Sequence, residues 1–191
     1  MSAIFEFSSG ILIIVIGLAM THLLAGLGSI IRYRKNLQID WVPIIWILVL
    51  LLVLVGWCYA VWDYLHDVEE LEFSHFLVFF VTSILFYLGA RLITPDINHT
   101  SVLNLRDAFL ETKTAFFLCY AAGIGWISIY IWIRDGFINT FTTVEGGLGL
   151  VLIGLLIVGT IIQKRRDHLL LVVVWTSIYL WQQFIQGALR S

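Results

Sequence analysis

Charge is what this sequence has least of. Only 13% of its 191 residues are charged, 60% are hydrophobic, and the mean hydropathy is +0.96. A soluble domain carries about 25% charged and about 45–50% apolar residues. A soluble chain of this size has no means of covering so much apolar surface, so lipid is expected to be the solvent for most of it. Proline is nearly missing, with two residues, and no low-complexity segment or linker divides the chain. The longest polar stretch, residues 95–113, is too short for a soluble domain. Any chemistry is therefore expected inside a membrane or on short loops.

Further absences narrow the classes. The first basic residue is Arg32, after the first apolar run. A cleavable signal needs a basic region before its apolar core, so none is expected, and neither end carries a lipidation motif. No lysine lies within an apolar run, which excludes a retinal Schiff base of the rhodopsin type. There is no potassium-filter sequence, no arginine ladder and no phosphate-binding glycine loop. The two cysteines, Cys58 and Cys119, fall in apolar runs near opposite membrane surfaces and are not expected to pair.

What the chain does have is six apolar runs, at about residues 9–31, 41–62, 73–93, 114–133, 146–162 and 168–188. About 20 apolar residues carry a helix across the hydrocarbon core. Backbone groups in lipid must be satisfied internally, so helices are expected even where valine and isoleucine dominate. The reading is an all-α integral membrane protein, one domain of six transmembrane helices with short loops. Residues 104–113 alternate leucine with polar residues and read as either an interfacial helix or an extension of the fourth helix. With Arg91 counted in its loop, the first, third and fifth connections hold nine of the eleven basic residues. The positive-inside rule then puts those loops in the cytoplasm and both termini outside, in a bacterial inner membrane. Aromatic residues cluster where interfaces are expected: Trp41 and Trp46 at one end of the second run, Trp57, Tyr59, Trp62 and Tyr64 at the other, and Trp126, Tyr130 and Trp132 closing the fourth. They read as anchors.

His22, ten residues before Arg32, lies in the inner half of the first helix. An ionisable residue at that depth usually faces a bundle interior, a partner or water. It reads either as a neutral hydrogen-bonding group between helices or as a proton-sensitive gate, a ligand or a substrate contact. Haem would need a second deep histidine, which is lacking. Beside His22 runs a small-residue stripe, Gly10, Gly17, Thr21, Ala25 and Gly28, on one helical face. The fourth run has Ala121, Gly125 and Ser128, and the fifth has Gly147 and Gly154 among its glycines. Small residues let helices approach closely in lipid.

Two further polar groupings stand out. The connection after the second run holds Asp63, His66, Asp67, Glu69, Glu70, Glu72 and His75, a cluster able to concentrate cations. Within it, His66, Glu70, Glu72 and His75 are weak divalent-metal candidates by helical spacing. Thr82, Ser83, Tyr87 and Arg91 mark the third helix, and Tyr179, Gln182 and Gln186 the sixth, as possible lining of a pathway. The expected function is a homo-oligomeric channel or transporter for cations or protons, and not an enzyme. The alternative is an accessory, structural or sensor subunit that binds partner membrane subunits, and a third reading is a membrane-embedded redox protein or enzyme. No cofactor is expected, haem and divalent metal being the only ones weighed. The expected partners are the lipid bilayer and other membrane subunits, with no nucleic acid.

Overall fold

The computed structural model describes residues 3–67, 72–95, 103–136 and 144–190. Among them lie six α-helices: α1 (Ala3–Arg32), α2 (Trp41–Asp67), α3 (Phe73–Ile93), α4 (Leu105–Asp135), α5 (Val144–Ile161) and α6 (Arg165–Arg190). All six apolar runs of the sequence are helical. The helices α1 to α4 are long and apolar enough to cross a membrane, and α5 is apolar but shorter. Residues 105–113 continue α4 without a break, so the extension is the form they take.

Local chemistry sets the helix ends. At α2, Asp40 Oδ1 accepts the Val42 amide at 2.9 Å, an aspartate N-cap. Pro43 follows in the first turn, where a missing N–H costs nothing. At α4, Asn104 accepts the Arg106 amide at 3.0 Å. That helix ends at Gly136, whose φ of 87° suits only glycine without strain and whose N–H returns to the Trp132 carbonyl. Helix α3 stops at Thr94, immediately before Pro95. A two-residue parallel pairing, Leu37–Gln38 (β1) against Leu103–Asn104 (β2), ties the α1–α2 connection to the start of α4.

Side-chain contacts fix the directions. Tyr64 meets His75, and Trp57 meets Phe79 and Phe86, so α2 and α3 are antiparallel. Likewise His75 meets Tyr130 and Phe86 meets Tyr120 across α3 and α4. Gly159 lies against Phe117 across α4 and α5, and Trp175 donates to the Leu152 carbonyl across α5 and α6. Helices α1 and α3 run parallel, with His22 at Arg91 and Gly26 at Thr94. The bundle is therefore up-and-down. The α1–α2, α3–α4 and α5–α6 connections share one end, here the clasp end, and the α2–α3 connection lies at the other.

The core lies between α2, α4 and α6, with α3 completing it. Trp46, Phe116, Phe117, Tyr120 and Trp175 are all fully buried there. Trp46 sits edge-on to Phe117 with ring centroids 5.0 Å apart, and Tyr120 packs on Trp175 at 5.5 Å. Trp46 was expected as an interfacial anchor and is instead a core residue. Its position in the second turn of α2 points it at α4 rather than outward. Trp57 and Tyr64 likewise turn inward onto Phe79, whereas Trp41, Tyr59 and Trp62 are exposed, as lipid-facing anchors are. In lipid such packing is held by dispersion between closely fitted surfaces.

Candidate functional site

Helix α3 distributes its polar groups over two faces. Towards α2, the Trp57 indole donates to Ser83 Oγ at 3.0 Å, and Ser83 donates in turn to the Phe79 carbonyl at 2.8 Å. Thr82 is also buried and donates to the Val78 carbonyl at 2.9 Å. Both hydroxyls are thus spent on the preceding turn of their own helix, the usual way a hydroxyl is satisfied in an apolar bundle. Towards α1, Tyr87 is half-buried and Arg91 exposed.

Arg91 is where the most telling contact lies. Its Nη1 is 3.5 Å from Nε2 of His22 on α1. A guanidinium only donates, so Nε2 of His22 is the acceptor in this long contact. One turn further along, Gly26 lets Thr94 sit directly against α1, and a side chain there would overlap it. This close approach brings the two residues together. Thr21 is exposed, on the side of α1 away from α3.

The expected pathway residues therefore occupy three places. His22 and Arg91, with Tyr87 near, lie along the α1–α3 seam at the perimeter. Thr82 and Ser83 are inside. Tyr179 on α6 packs on Trp175 and places its hydroxyl against Gly56 of α2, in space that any side chain at residue 56 would need. Gln182 is half-buried one turn beyond, and the side chain of Gln186 lies outside the described residues. Two polar atoms of the core, Trp46 Nε1 and the Tyr120 hydroxyl, have no hydrogen-bond partner among the described residues.

Of the acidic connection, Glu69 and Glu70 lie outside the described residues, as do the side chains of His66 and Asp67. Asp63 is half-buried, and Glu72 is exposed and accepts from Ser74 Oγ at 3.3 Å. His75 packs between Tyr64 and Tyr130, at 5.6 and 5.5 Å between ring centroids. Among the described residues no three His, Cys, Asp or Glu side chains gather as a metal-binding group.

The clasp end holds an arrangement that sequence reasoning missed. Lys113 and His168 are buried at 6% and 2% exposure. Both reach the Ile162 carbonyl just past the end of α5, Lys113 through Nζ and His168 through Nε2 at 3.0 Å. His168 also stacks on Phe117, their planes 5° apart. Nearby, Arg165 lies 3.6 Å from the same Asp40 that caps α2. The only sequence signal for this was a lysine and a histidine at the clasp-end edges of two apolar runs, and which carbonyl they serve depends on the tertiary fold.

The small residues divide into two sets. Gly26, Gly56, Gly123 and Gly159 are packing points within the chain, each facing a side chain that a Cβ would crowd. Gly10, Gly17, Gly28, Gly125, Gly147 and Gly154 face open space. Ala25 is exposed, Ala121 is buried, and the Ser128 hydroxyl returns to the Ile124 carbonyl at 2.8 Å. No protein family, curated protein or solved structure matches this chain.

Proposed function

We propose that the chain is a six-span protein of a bacterial cytoplasmic membrane, with its clasp end in the cytoplasm and both termini outside. In this reading it acts as a non-catalytic assembly subunit, pairing through α1 with a further copy or with another membrane subunit. One observation carries the reading. The small residues Gly10, Gly17, Thr21 and Gly28 recur at seven- and four-residue steps along a face of α1 that no other described part of the chain covers. Such a face gains nothing from lipid alone. A second helix laid on it makes close backbone contact, which is what drives association in a membrane.

The test separates assembly from folding. Gly17→Leu and Gly28→Leu add bulk where the single chain has open space. Each is expected to lower the oligomer fraction of the detergent-purified protein in light scattering while leaving its melting temperature within a few degrees. A wild type that is monomeric at every concentration and copurifies with nothing would falsify the assembly reading.

The placement of His22 and Arg91 favours a second reading, a homo-oligomeric channel or transporter for cations or protons. The single-chain core is filled by aromatic rings, so in this reading the path runs between copies, along the α1–α3 seam. Flux into proteoliposomes containing only this protein, lost on His22→Ala, is the expected result. No flux above empty liposomes at pH 5.5 or 7.5 leaves assembly alone.

A further inference from the structure

Past the last turn of α1 the chain makes one tight turn. The Tyr33 amide closes the helix onto Ser29, and the Asn36 amide returns to the Tyr33 carbonyl at 2.8 Å, forming the short 3-10 turn Arg34–Asn36. This turn borders an open surface depression of about 510 Å³ lined by Ile31, Arg32, Tyr33, Arg34, Lys35 and Asn36. Three of the six lining residues are cationic and none is acidic. The nearest acid in sequence, Asp40, is already engaged by the Val42 amide and by Arg165. Arg32 sits in the last turn of α1, where a cation complements the helix dipole. Arg34 and Lys35 follow in the 3-10 turn, and both are exposed.

The apolar surroundings set the depth of the depression. Ile31, which lines it, is 67% exposed, and Ile39 and Trp41, which follow in sequence, are 48% and 60% exposed. An exposed tryptophan at the first position of a spanning helix belongs at headgroup level. The cationic groups therefore stand where phosphates lie, with an apolar shelf beneath them for acyl chains. Arginine forks match phosphate oxygens in pairs, and juxtamembrane cations attract anionic lipid.

We infer that the α1–α2 turn is a binding site for the phosphate headgroup of an anionic phospholipid, held by Arg34 and Lys35 with Arg32 at its rim. The inference rests on the membrane-spanning reading above. The site takes one phosphodiester and leaves the acyl chains along α1 past Ile31.

The test is native mass spectrometry of the full chain released from detergent holding equal amounts of phosphatidylglycerol and phosphatidylcholine. Wild type is expected to retain phosphatidylglycerol in clear preference. The pair Arg34→Ala with Lys35→Ala is expected to cut that retention at least about tenfold, because it removes both cations that hold the phosphate. The pair Lys164→Ala with Arg166→Ala removes equal charge from the same end and is expected to leave it unchanged. Equal retention of the two lipids by wild type overturns the site, and so does equal loss in both pairs, which reports only the general charge of that end. Displacement of the lipid by glycerol phosphate assigns the depression to a soluble phosphate and overturns the lipid. Should the double variant fail to fold, Arg34→Gln and Lys35→Gln separately carry the same expectation. An alkaline wash separates the two failures. Wild type released by it overturns the membrane reading, whereas wild type that stays embedded but shows no lipid preference overturns the site alone.

Discussion

At the scale of single residues, the glycines give the sharpest contrast. A Cβ built at Gly123 of α4 lies 2.8 Å from the Phe86 ring, while one at Gly17 of α1 meets nothing within 4 Å. Gly123→Ala must displace a fully enclosed ring, and overpacking of this kind costs about 1–3 kcal/mol. Gly17→Ala pushes nothing aside and gains helix propensity, up to about 1 kcal/mol. Thermal unfolding in one detergent is expected to show a lower midpoint for Gly123→Ala and an equal or higher one for Gly17→Ala. The reverse order would mean that α3 and α4 do not pack as described. Gly123 was not picked out from the sequence, whereas Gly17 was. Spacing reveals which small residues share a helical face, but not which face another helix covers, so open glycines and packed ones look alike until neighbours are known. The same limit hid Trp46. A tryptophan near a helix end suits an interface or a core equally well, and only the arrival of Phe116 and Phe117 from α4 decides it.

At the scale of elements, α5 depends most on its surroundings. It has 18 residues and no basic residue in its last turn, so nothing within it complements its C-terminal carbonyls. Lys113 from α4 and His168 from α6 supply that complement together at the Ile162 carbonyl. A hydrogen bond from a charged donor such as the Lys113 ammonium contributes about 1.5–3 kcal/mol, and one from a neutral ring N–H about 0.5–1.5 kcal/mol. Lys113→Met keeps the stem and removes the donor. It is expected to speed amide exchange over the last turn of α5 and the turn to α6, with α2 unaffected. His168→Phe keeps a ring against Phe117, loses one donor, and is expected to give a smaller change in the same segment. Uniform exchange across the α5–α6 turn in both variants would show that the carbonyl needs neither residue. The existence and approximate limits of the helices were legible because 20-residue apolar runs have one stable form in lipid. This cap was not legible, because it joins residues 49 positions apart in sequence.

At the scale of the whole molecule, α1 to α4 are the helices long and apolar enough to cross the bilayer, and the six-span reading proposed above adds α5 and α6. Helix α5 rises about 27 Å at 1.5 Å per residue, slightly less than the roughly 30 Å hydrocarbon core, a mismatch that local thinning absorbs at modest cost. It lies against α4 at Phe117–Gly159 and against α6 at Leu152–Trp175, and α6 reaches the core of α2 and α4 through Trp175. In the six-span reading a crossing by α4 takes α5 and α6 with it, which keeps the aromatic core covered. Cysteine labelling checks this in a chain whose Cys58 and Cys119 are replaced by alanine. Lys35→Cys and Lys164→Cys are expected to react with an impermeant maleimide only after the membrane is opened, and Asp63→Cys in intact cells. A cysteine appended after Ser191 decides the matter. With six spans it reacts in intact cells, on the side of Asp63. Protection of that cysteine alongside Lys164→Cys would mean that α6 fails to cross, and the positive-inside count, to which α6 contributes only Arg190 outside, would have to be made again on five spans.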